Sequence, residues 1–330
     1  MRALLSTDPG GPETLTIEDL PEPEAIEGHV VVDVKAVSVN FPDVLIIQDM
    51  YQVKPPRPFS PGSELAGVVS EVGEGVDGLA VGDRVLAVPG HGAMAEKALV
   101  HASLVRPIPD AMSFEDAASF LLTYGTSHYA LKQRGRAKAG ETLFIMGAAG
   151  GVGLAAVQLG KAMGLRVIAG CSSQEKVDIC LAQGADAGIV YPRQPLDRDQ
   201  QKALSNQIKE AGGGGVDLVY DAVGGDYAEP AVRALNWEGR FLVIGFPAGI
   251  PKLPLNLTLL KSADVVGVFW GAFTVMQPDV HEANVAELLE WYEAGKIKPY
   301  ITDTFPLEEG AAAIAALGER RAKGKVVVTP

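Results

Sequence analysis

The segment Thr142-Leu-Phe-Ile-Met-Gly-Ala-Ala-Gly-Gly-Val-Gly153 joins an apolar run to a glycine-rich turn, and residues 152–163 continue with helical spacing. A strand, a glycine-rich turn and a helix in this order form the phosphate-binding unit of dinucleotide-binding domains, because the helix N-terminus presents free N–H groups to a phosphate. Ala148 stands at the first glycine position of the G-x-G-x-x-G pattern. We expect dinucleotide binding rather than a purely structural turn, with the phosphates at Gly150, Gly151, Val152 and Gly153.

Short apolar runs and helical patterns alternate from residue 142 to residue 268. The predicted strands are 142–146, 165–169, 187–191, 216–220, 239–244 and 263–268, and the predicted helices between them are 152–163, 174–182, 200–210 and 227–235. Strict alternation of this kind predicts an α/β fold with a parallel, doubly wound Rossmann sheet. The continuous apolar character of the runs fits strands that are covered by helices on both faces.

The first third of the chain is predicted to be mostly β, because runs rich in β-branched residues alternate with Gly and Pro clusters. Helical spacing covers residues 114–134. The tail beyond residue 283 has a helix, a break at Pro299, an alanine-rich helix and a final strand, and it does not extend the alternation. We expect two domains, one formed by residues 1–122 and 273–330 and the other, the Rossmann domain, by residues 123–272.

The composition restricts the class of partner. The 330-residue chain has a formal charge of −13, which repels nucleic acid and anionic membranes. No stretch reaches the roughly 20 apolar residues of a membrane helix, and charge and Pro9 follow the N-terminus too closely for a signal peptide. We expect a cytoplasmic protein with no nucleic-acid or membrane partner. Cys171 and Cys180 are nine residues apart beside a predicted helix, so no disulfide is expected between them.

The choice between NADH and NADPH depends on the end of the second strand of the Rossmann sheet. An Asp or Glu there would bind the ribose hydroxyls of NADH, but the residue at the strand end is Cys171. Ser172, Ser173 and Lys176 follow it and offer two hydroxyls and a cation to a 2′-phosphate. We therefore expect NADPH. The alternative is that a serine only caps the next helix and that Lys176 is a solvated surface charge.

Several motifs together resemble the medium-chain dehydrogenase/reductase superfamily. They are Val37-Ser-Val-Asn-Phe-Pro-Asp43, Pro61-Gly-Ser-Glu-Leu-Ala-Gly-Val-Val69, Gly73-Glu-Gly-Val-Asp-Gly-Leu-Ala-Val-Gly-Asp-Arg-Val85 and Ala148-Ala-Gly-Gly-Val-Gly153. Within the superfamily, the chain looks like the zinc-free quinone oxidoreductase (zeta-crystallin-like) branch. The resemblance implies a GroES-like, mostly β catalytic domain beside the Rossmann domain. It also implies a homodimer, in which the apolar run 265–270 is an edge strand paired with its symmetry mate.

We expect no bound metal. A catalytic zinc needs three protein ligands, and zinc-dependent relatives place a Cys near the position of Asn40 and a His-Glu pair where this chain has Ser63-Glu64. A structural zinc site would need four clustered cysteines. The five histidines are scattered along the sequence and are read as surface or core residues.

The resemblance implies two candidate catalytic residues, Asn40 and Tyr51. Asn40 would lie beside the nicotinamide and the substrate, and its alternative role is to end a strand and fix a turn. Tyr51 would line the substrate cleft and donate a hydrogen bond to a carbonyl that gains charge; its alternative role is packing. Leu45 replaces a second cleft tyrosine of some quinone reductases. Asp43 and Glu64 are assigned structural roles.

The resemblance also implies further contacts with the cofactor. The candidates are Thr126 near the nicotinamide-side phosphate or ribose, Tyr191 near the adenosine phosphate, Phe246 after the fifth strand, Phe269 in the cleft or at the dimer seam, and Arg320 near the C-terminus. Each has an alternative structural or surface role. Lys325 is a similar candidate, for which a plain surface charge is an equal alternative.

Without a metal no Lewis acid polarises an alcohol, so the expected chemistry is hydride transfer from NADPH to a quinone or an α,β-unsaturated carbonyl. A first alternative is reduction of the C=C bond of an acrylate-type substrate or an enoyl thioester. A second alternative, from a different class, is a non-catalytic NADPH-binding protein.

Overall fold

A computed structural model describes all 330 residues of the chain. The residues form two compact units. Unit 1 comprises Met1–Leu122 and Pro299–Pro330, and unit 2 comprises Thr123–Lys298. None of the helices combines the length and the apolarity needed to cross a bilayer.

The strands of the two units are, in chain order, β1 (Arg2–Leu5), β2 (Thr16–Asp19), β3 (His29–Val39), β4 (Glu64–Val72), β5 (Arg84–Ala87), β6 (Lys97–His101), β7 (Val105–Pro107), β8 (Thr142–Met146), β9 (Arg166–Cys171), β10 (Ala187–Val190), β11 (Val216–Asp221), β12 (Leu235–Val243), β13 (Asp264–Gly267), β14 (Ile301–Pro306) and β15 (Lys325–Thr329).

The α-helices are α1 (Phe41–Ile46), α2 (Phe114–Ala118), α3 (Leu121–Tyr129), α4 (Gly151–Ala162), α5 (Gln174–Ala182), α6 (Arg198–Ala211), α7 (Ala228–Ala234), α8 (Asn256–Lys261), α9 (Trp270–Met276), α10 (Pro278–Glu293) and α11 (Gly310–Gly318).

Unit 1 is built on a seven-stranded sheet in the order β14-β15-β3-β4-β5-β7, with β6 also paired to β3, and a separate hairpin of β1 and β2. All pairs in this sheet are antiparallel except β14 with β15. Valine and leucine side chains from β3, β4 and β15 pack with α1 and α11 in its core. The C-terminal strand β15 therefore joins the sheet formed by the first third of the chain.

Unit 2 contains a six-stranded sheet in the order β10-β9-β8-β11-β12-β13, in which every pair is parallel. The predicted doubly wound sheet is therefore confirmed. The strand order reverses between β8 and β11, and ligands of such sheets bind at the carboxyl ends of the strands beside this point. The strand β8 is fully buried, as its uninterrupted apolar sequence indicates.

The helix predicted over residues 174–182 agrees with α5. The helical spacing predicted over residues 114–134 agrees with the structure except for one break, at Ser119, which leaves helical geometry with φ −100° and ψ 11° after α2. A new helix, α3, then begins at Leu121 and continues into a π-helical segment, Ala130–Arg134.

Residues 273–298 belong to unit 2 by their contacts, whereas the sequence-based division placed them with the first domain. The helix α10 contacts α3 and the π-helical segment directly. Glu287 Oε2 lies 2.8 Å from Nε2 of the buried His128, and the Gln133 side chain donates to Asn284 Oδ1 over 2.8 Å. These long-range polar contacts are invisible to a pattern search along the chain.

Candidate active site

The glycine-rich turn connects the end of β8 to the start of α4. Gly147 has φ +76°, a left-handed conformation that favours glycine. A Cβ atom on Gly153 would lie 2.3 Å from the carbonyl oxygen of Gly147, so the turn and the first turn of α4 pack too closely for any side chain there. Gly150 is the exposed N-cap of α4, in extended geometry. The first-turn N–H groups of α4 are thus positioned as in a phosphate-binding turn.

The next strand ends at the residues predicted to select the cofactor. Cys171 is the last residue of β9 and is buried, Ser172 is exposed, and Ser173 is the N-cap of α5. The Ser173 hydroxyl accepts the N–H of Lys176 over 3.4 Å, so the capping role of Ser173 is present in the structure. Capping leaves the second lone pair of the hydroxyl and its proton for a ligand.

Four of the other cofactor candidates lie in unit 2, namely Thr126, Tyr191, Phe246 and Phe269. Tyr191 directly follows β10, and its backbone N–H donates to the Cys171 carbonyl over 2.9 Å. Its ring packs against the ring of Tyr227 in a tilted arrangement, with the ring centroids 4.8 Å apart. Burial, with smaller contributions from nearby groups, raises the pKa of Tyr191. Thr126 is half-buried on α3, next to Ser127, whose hydroxyl donates to the carbonyl of Val152 in α4. Phe246 is partly exposed after β12.

Two cofactor candidates are not brought to the turn by contacts within unit 2. Phe269 is exposed and precedes α9, beyond the edge strand β13. Arg320 belongs to unit 1, where it is exposed after α11 with φ +60°.

Unit 1 contains a buried polar network that results from the register of three strands. Val326 of β15 pairs with Val39 of β3, which places Lys325 beside Asn40, and Ser38 of β3 pairs with Glu64 of β4. The Lys325 ammonium donates to Asn40 Oδ1 over 2.6 Å and to Glu64 Oε1 over 3.1 Å. All three side chains are almost fully buried. A lysine, an asparagine and a glutamate distant in sequence therefore form one hydrogen-bonded group.

The Asn40 side chain is fully engaged inside this network. Its Nδ2 donates to Glu64 Oε1 over 3.0 Å and to the Ser38 carbonyl over 3.2 Å, and its Oδ1 accepts from Lys325. An amide nitrogen has two N–H groups, and both are used by the protein. This geometry differs from the predicted one, in which Asn40 donates to a substrate carbonyl or a cofactor ribose.

Asp43 extends the network at the start of α1. Its carboxylate accepts the Asn40 N–H over 2.7 Å, as part of a capping box, and the Ser63 hydroxyl over 2.7 Å. Complete burial raises the pKa of Asp43 to about 6, although both hydrogen bonds and the Lys325 charge favour the ionised form. The structural role assigned to Asp43 is thus matched by its contacts.

Tyr51 is half-buried and packs against the core of unit 1. Burial, and secondarily the negative charge of Asp43, raises the pKa of its phenol. The hydroxyl therefore keeps its proton at neutral pH and is available as a hydrogen-bond donor.

Sequence reasoning missed the role of Lys325, for which a surface charge stood as an equal alternative. The structure shows a buried residue inside unit 1. The signal was present, because Lys325 opens an otherwise apolar run, Lys325-Val-Val-Val328, and a lysine in such a strand needs a buried partner. The side chains contain no group of three or more His, Cys, Asp or Glu residues placed to hold a metal ion.

The two cysteines lie closer together than their spacing in the sequence suggests. The sulfur atoms of Cys171 and Cys180 lie only 3.7 Å apart, although both thiols are free. The two residues are nine positions apart in the sequence, but α5 folds back along β9 and brings Cys180 against the strand end.

Comparison with known proteins agrees with this architecture. The alcohol dehydrogenase GroES-like domain family matches residues 26–110, and the zinc-binding dehydrogenase family matches residues 151–291. A quinone oxidoreductase-like protein 2 homolog from Nematostella vectensis is 36% identical over 99% of this chain and 88% of its own length. The chain belongs to the zinc-independent, quinone oxidoreductase-like branch of the medium-chain dehydrogenase/reductase superfamily.

Solved structures of this branch cover the whole chain. A mycobacterial protein complexed with NADPH superimposes with a TM-score of 0.91 at 32% identity, covering 100% of both chains. The quinone oxidoreductase of Thermus thermophilus, also known as a complex with NADPH, has a TM-score of 0.84 at 35% identity and the same coverage. The mixed fold of a GroES-like and a Rossmann part is therefore confirmed.

Proposed function

We propose that this protein is an NADPH-dependent reductase that transfers hydride to a quinone or an α,β-unsaturated carbonyl without a metal. The observation that carries the proposal is the network of unit 1, in which Asn40 and Glu64 are committed to Lys325. Asn40 and Glu64 occupy the region where zinc-dependent relatives have metal ligands, but here they are hydrogen-bonded to a lysine and do not form a set of zinc ligands. An acceptor that is already electrophilic needs no Lewis acid, whereas alcohol oxidation does.

The class of oxidoreductase and the cofactor follow from the family and from the NADPH complexes of its members. In this chain the turn at the start of α4 fits a pyrophosphate, because a side chain at Gly153 has no room and the helix N-terminus faces the turn. We assign the 2′-phosphate to Ser172, Ser173 and Lys176. The remaining cofactor contacts are assigned to Thr126, Tyr191, Phe246, Phe269 and Arg320.

When bound, NADPH supplies the hydride. Tyr51 keeps its proton at neutral pH, as a phenol ordinarily does, and its raised pKa reinforces this. It can therefore donate a hydrogen bond to the substrate oxygen that gains negative charge. Asn40 acts as a positioning residue, because both of its N–H groups are used within the protein. It fixes Lys325, and it holds Asp43 at the start of the helix that precedes Tyr51.

The test is oxidation of NADPH by three acceptors, a benzoquinone, a simple enone and an enoyl thioester. We expect turnover with the quinone or the enone, and Tyr51→Phe should lower kcat by about 100-fold, the usual cost of one lost oxyanion donor. Tyr300→Phe is the matched control, since this half-buried tyrosine of unit 1 has no assigned role. Turnover with the thioester alone would favour the C=C reductase, and NADPH binding without any turnover would favour a non-catalytic protein.

A homodimer is the second part of the proposal. The strand β13 pairs only with β12, so its outer edge has no partner within unit 2. An unpaired edge invites a further strand, and the exposed apolar residues nearby in the chain favour a second copy of this chain as the partner. These residues are Leu255, Leu259, Leu260, Val265, Val275 and Met276.

A further inference from the structure

The two cysteines of the chain form a close pair in unit 2. Cys171 ends β9 and Cys180 lies in α5, and their sulfur atoms are 3.7 Å apart in the free thiol state. A disulfide has a sulfur–sulfur bond of about 2.05 Å, so a movement of less than about 2 Å would join them. The proposed hydride transfer uses neither thiol.

The surroundings make the two thiols unequal. The pKa of Cys171 is lowered mainly by the hydrogen bond from Cys180. Burial acts in the opposite direction, and the Ala149 N–H and the Lys176 charge lower the pKa further. The same contact and burial raise the pKa of Cys180. A thiol with a lowered pKa beside one with a raised pKa is the arrangement of an attacking and a resolving cysteine.

The Ala149 N–H and the Lys176 charge, which both act on Cys171, belong to the proposed NADPH site. Ala149 belongs to the glycine-rich turn, and Lys176 is one of the residues assigned to the 2′-phosphate. The strand β9 is held between β8 and β10, so closing the sulfur gap would mainly displace α5. That helix carries Ser173 at its N-cap and Lys176 in its first turn, and both would move relative to the turn.

We propose that Cys171 and Cys180 form a reversible disulfide when the protein meets a hydroperoxide, and that this disulfide weakens NADPH binding. The second half of the proposal rests on the proposed function. The thiol pair would then be a modification site, and its oxidation would control the activity of the reductase.

The chemistry balances with hydrogen peroxide as the oxidant. The Cys171 thiolate attacks one peroxide oxygen, the O–O bond breaks, and a sulfenic acid and one water are formed after proton transfer. The Cys180 sulfur then attacks the sulfenic sulfur, the S–O bond breaks, and a second water leaves with the thiol proton. Two thiols lose two electrons in total, and one peroxide is reduced to two waters.

Burial limits which oxidants can react. Cys171 is 2% exposed and Cys180 is fully buried, so a water-sized hydroperoxide should react, whereas a bulky disulfide reagent should react much more slowly. Lys176, whose charge acts on Cys171, is assigned to the 2′-phosphate, so we expect saturating NADPH to slow the oxidation several-fold.

The experiment treats the reduced full-length protein with hydrogen peroxide. We expect a mass loss of about 2 Da, a cross-linked peptide that contains both cysteines, and an NADPH Kd at least about tenfold weaker, all reversed by dithiothreitol. Cys180→Ser should bind NADPH normally and yield only a trappable sulfenic acid at Cys171. Cys171→Ser should yield neither product.

The outcomes separate this inference from the proposed function. If peroxide gives no Cys171–Cys180 bond, the modification site is refuted, whatever the enzyme reduces. If the bond forms and the Kd for NADPH is unchanged, the control of binding is refuted. If peroxide produces the disulfide but the reduced protein does not bind NADPH, the proposed function fails while the modification site stands.

Discussion

The Lys325 ammonium lies 2.6 Å from Asn40 Oδ1, although 285 residues separate the two positions in the chain. The same ammonium is 3.1 Å from Glu64 Oε1, and the lysine and glutamate side chains are 5% and 1% exposed. A buried charge is tolerated only when it is paired and hydrogen-bonded. The pair therefore couples the C-terminal strand of the sheet in unit 1 to the start of the helix that precedes Tyr51.

Removing the Lys325 charge should destabilise the protein strongly. Lys325→Met leaves the Glu64 carboxylate buried without its counter-charge, and breaking such a pair costs about 3 kcal/mol or more. Equilibrium denaturation in urea measures this loss. The double variant Lys325→Met/Glu64→Gln removes both charges and should recover a substantial part of the stability. A single variant that loses less than about 1 kcal/mol would show that the pair is not closed in solution.

Asp43 should make the stability depend on pH. Its folded-state pKa is raised from 3.8 to about 6, so between these values the folded protein holds a proton that the unfolded chain has lost. The stabilisation from this group is complete below the unfolded pKa and disappears as pH rises through about 6. The stability of the wild type relative to Asp43→Asn should fall by about 2 kcal/mol between about pH 4.5 and 7.

Urea titrations of both proteins at each pH give this difference directly. Glu115→Gln on α2 is a suitable control, because this carboxyl is partly exposed and lies outside the buried network. A flat difference for Asp43→Asn would mean that the carboxyl titrates at its ordinary pKa in the folded state.

The sequence predicts unit 2 well for a physical reason. A strand buried on both faces must be apolar throughout, as β8 is, and a helix between two such strands must alternate with them. The local pattern therefore contains most of the information about the parallel sheet. Part of the glycine-rich turn is equally local, because the steric contact that requires glycine at position 153 is with the carbonyl of Gly147, six residues earlier.

The site in unit 1 could not be predicted to the same degree. The role of Asn40 is set by the register of β15 on β3 and of β3 on β4, and a register between distant strands leaves no local pattern. The sequence indicated Asn40 and Tyr51 as candidates, but it did not show that Lys325 binds both Asn40 and Glu64. The proximity of Cys171 and Cys180 was missed for a related reason, since it depends on how α5 folds back on β9.

Alanine substitutions at two glycines of the turn should have different effects, one on the stability of the protein and the other on NADPH binding. Gly153→Ala places a Cβ atom 2.3 Å from the Gly147 carbonyl, whereas a Cβ atom on Gly150 would be at an ordinary 3.5 Å from the same oxygen. Gly153→Ala should lower the free energy of unfolding by about 2 kcal/mol or more through backbone displacement. Gly150→Ala should keep the stability and weaken NADPH binding, because Gly150 is the exposed N-cap of the helix to which the phosphates are assigned. Denaturation and NADPH titration on both variants provide the test, and equal stabilities would contradict the packing argument.

Lys176 should determine the preference for NADPH over NADH. Lys176→Glu replaces a cation with an anion next to the proposed 2′-phosphate, so KM for NADPH should rise by about tenfold or more. KM for NADH should change by less than about twofold, because NADH has no phosphate there. Lys202→Glu on α6 is the control for net charge, since this lysine is exposed and lies outside the site. A parallel rise of both KM values would place the 2′-phosphate elsewhere.

The edge of β13 should determine the oligomeric state. Val265 is 44% exposed on this strand, and in a two-fold symmetric pairing the same edge of each copy faces the other. Val265→Lys would bring two like charges together at the seam and bury them in part, so we expect it to convert a dimer to a monomer in sedimentation velocity. Leu181→Lys, on the exposed side of α5, adds the same charge away from β13 and should leave the dimer intact. A wild-type protein that sediments as a monomer at micromolar concentration would contradict the dimer. Dissociation by both variants would instead point to a general effect of charge, because only one of the two substitutions lies at the unpaired edge.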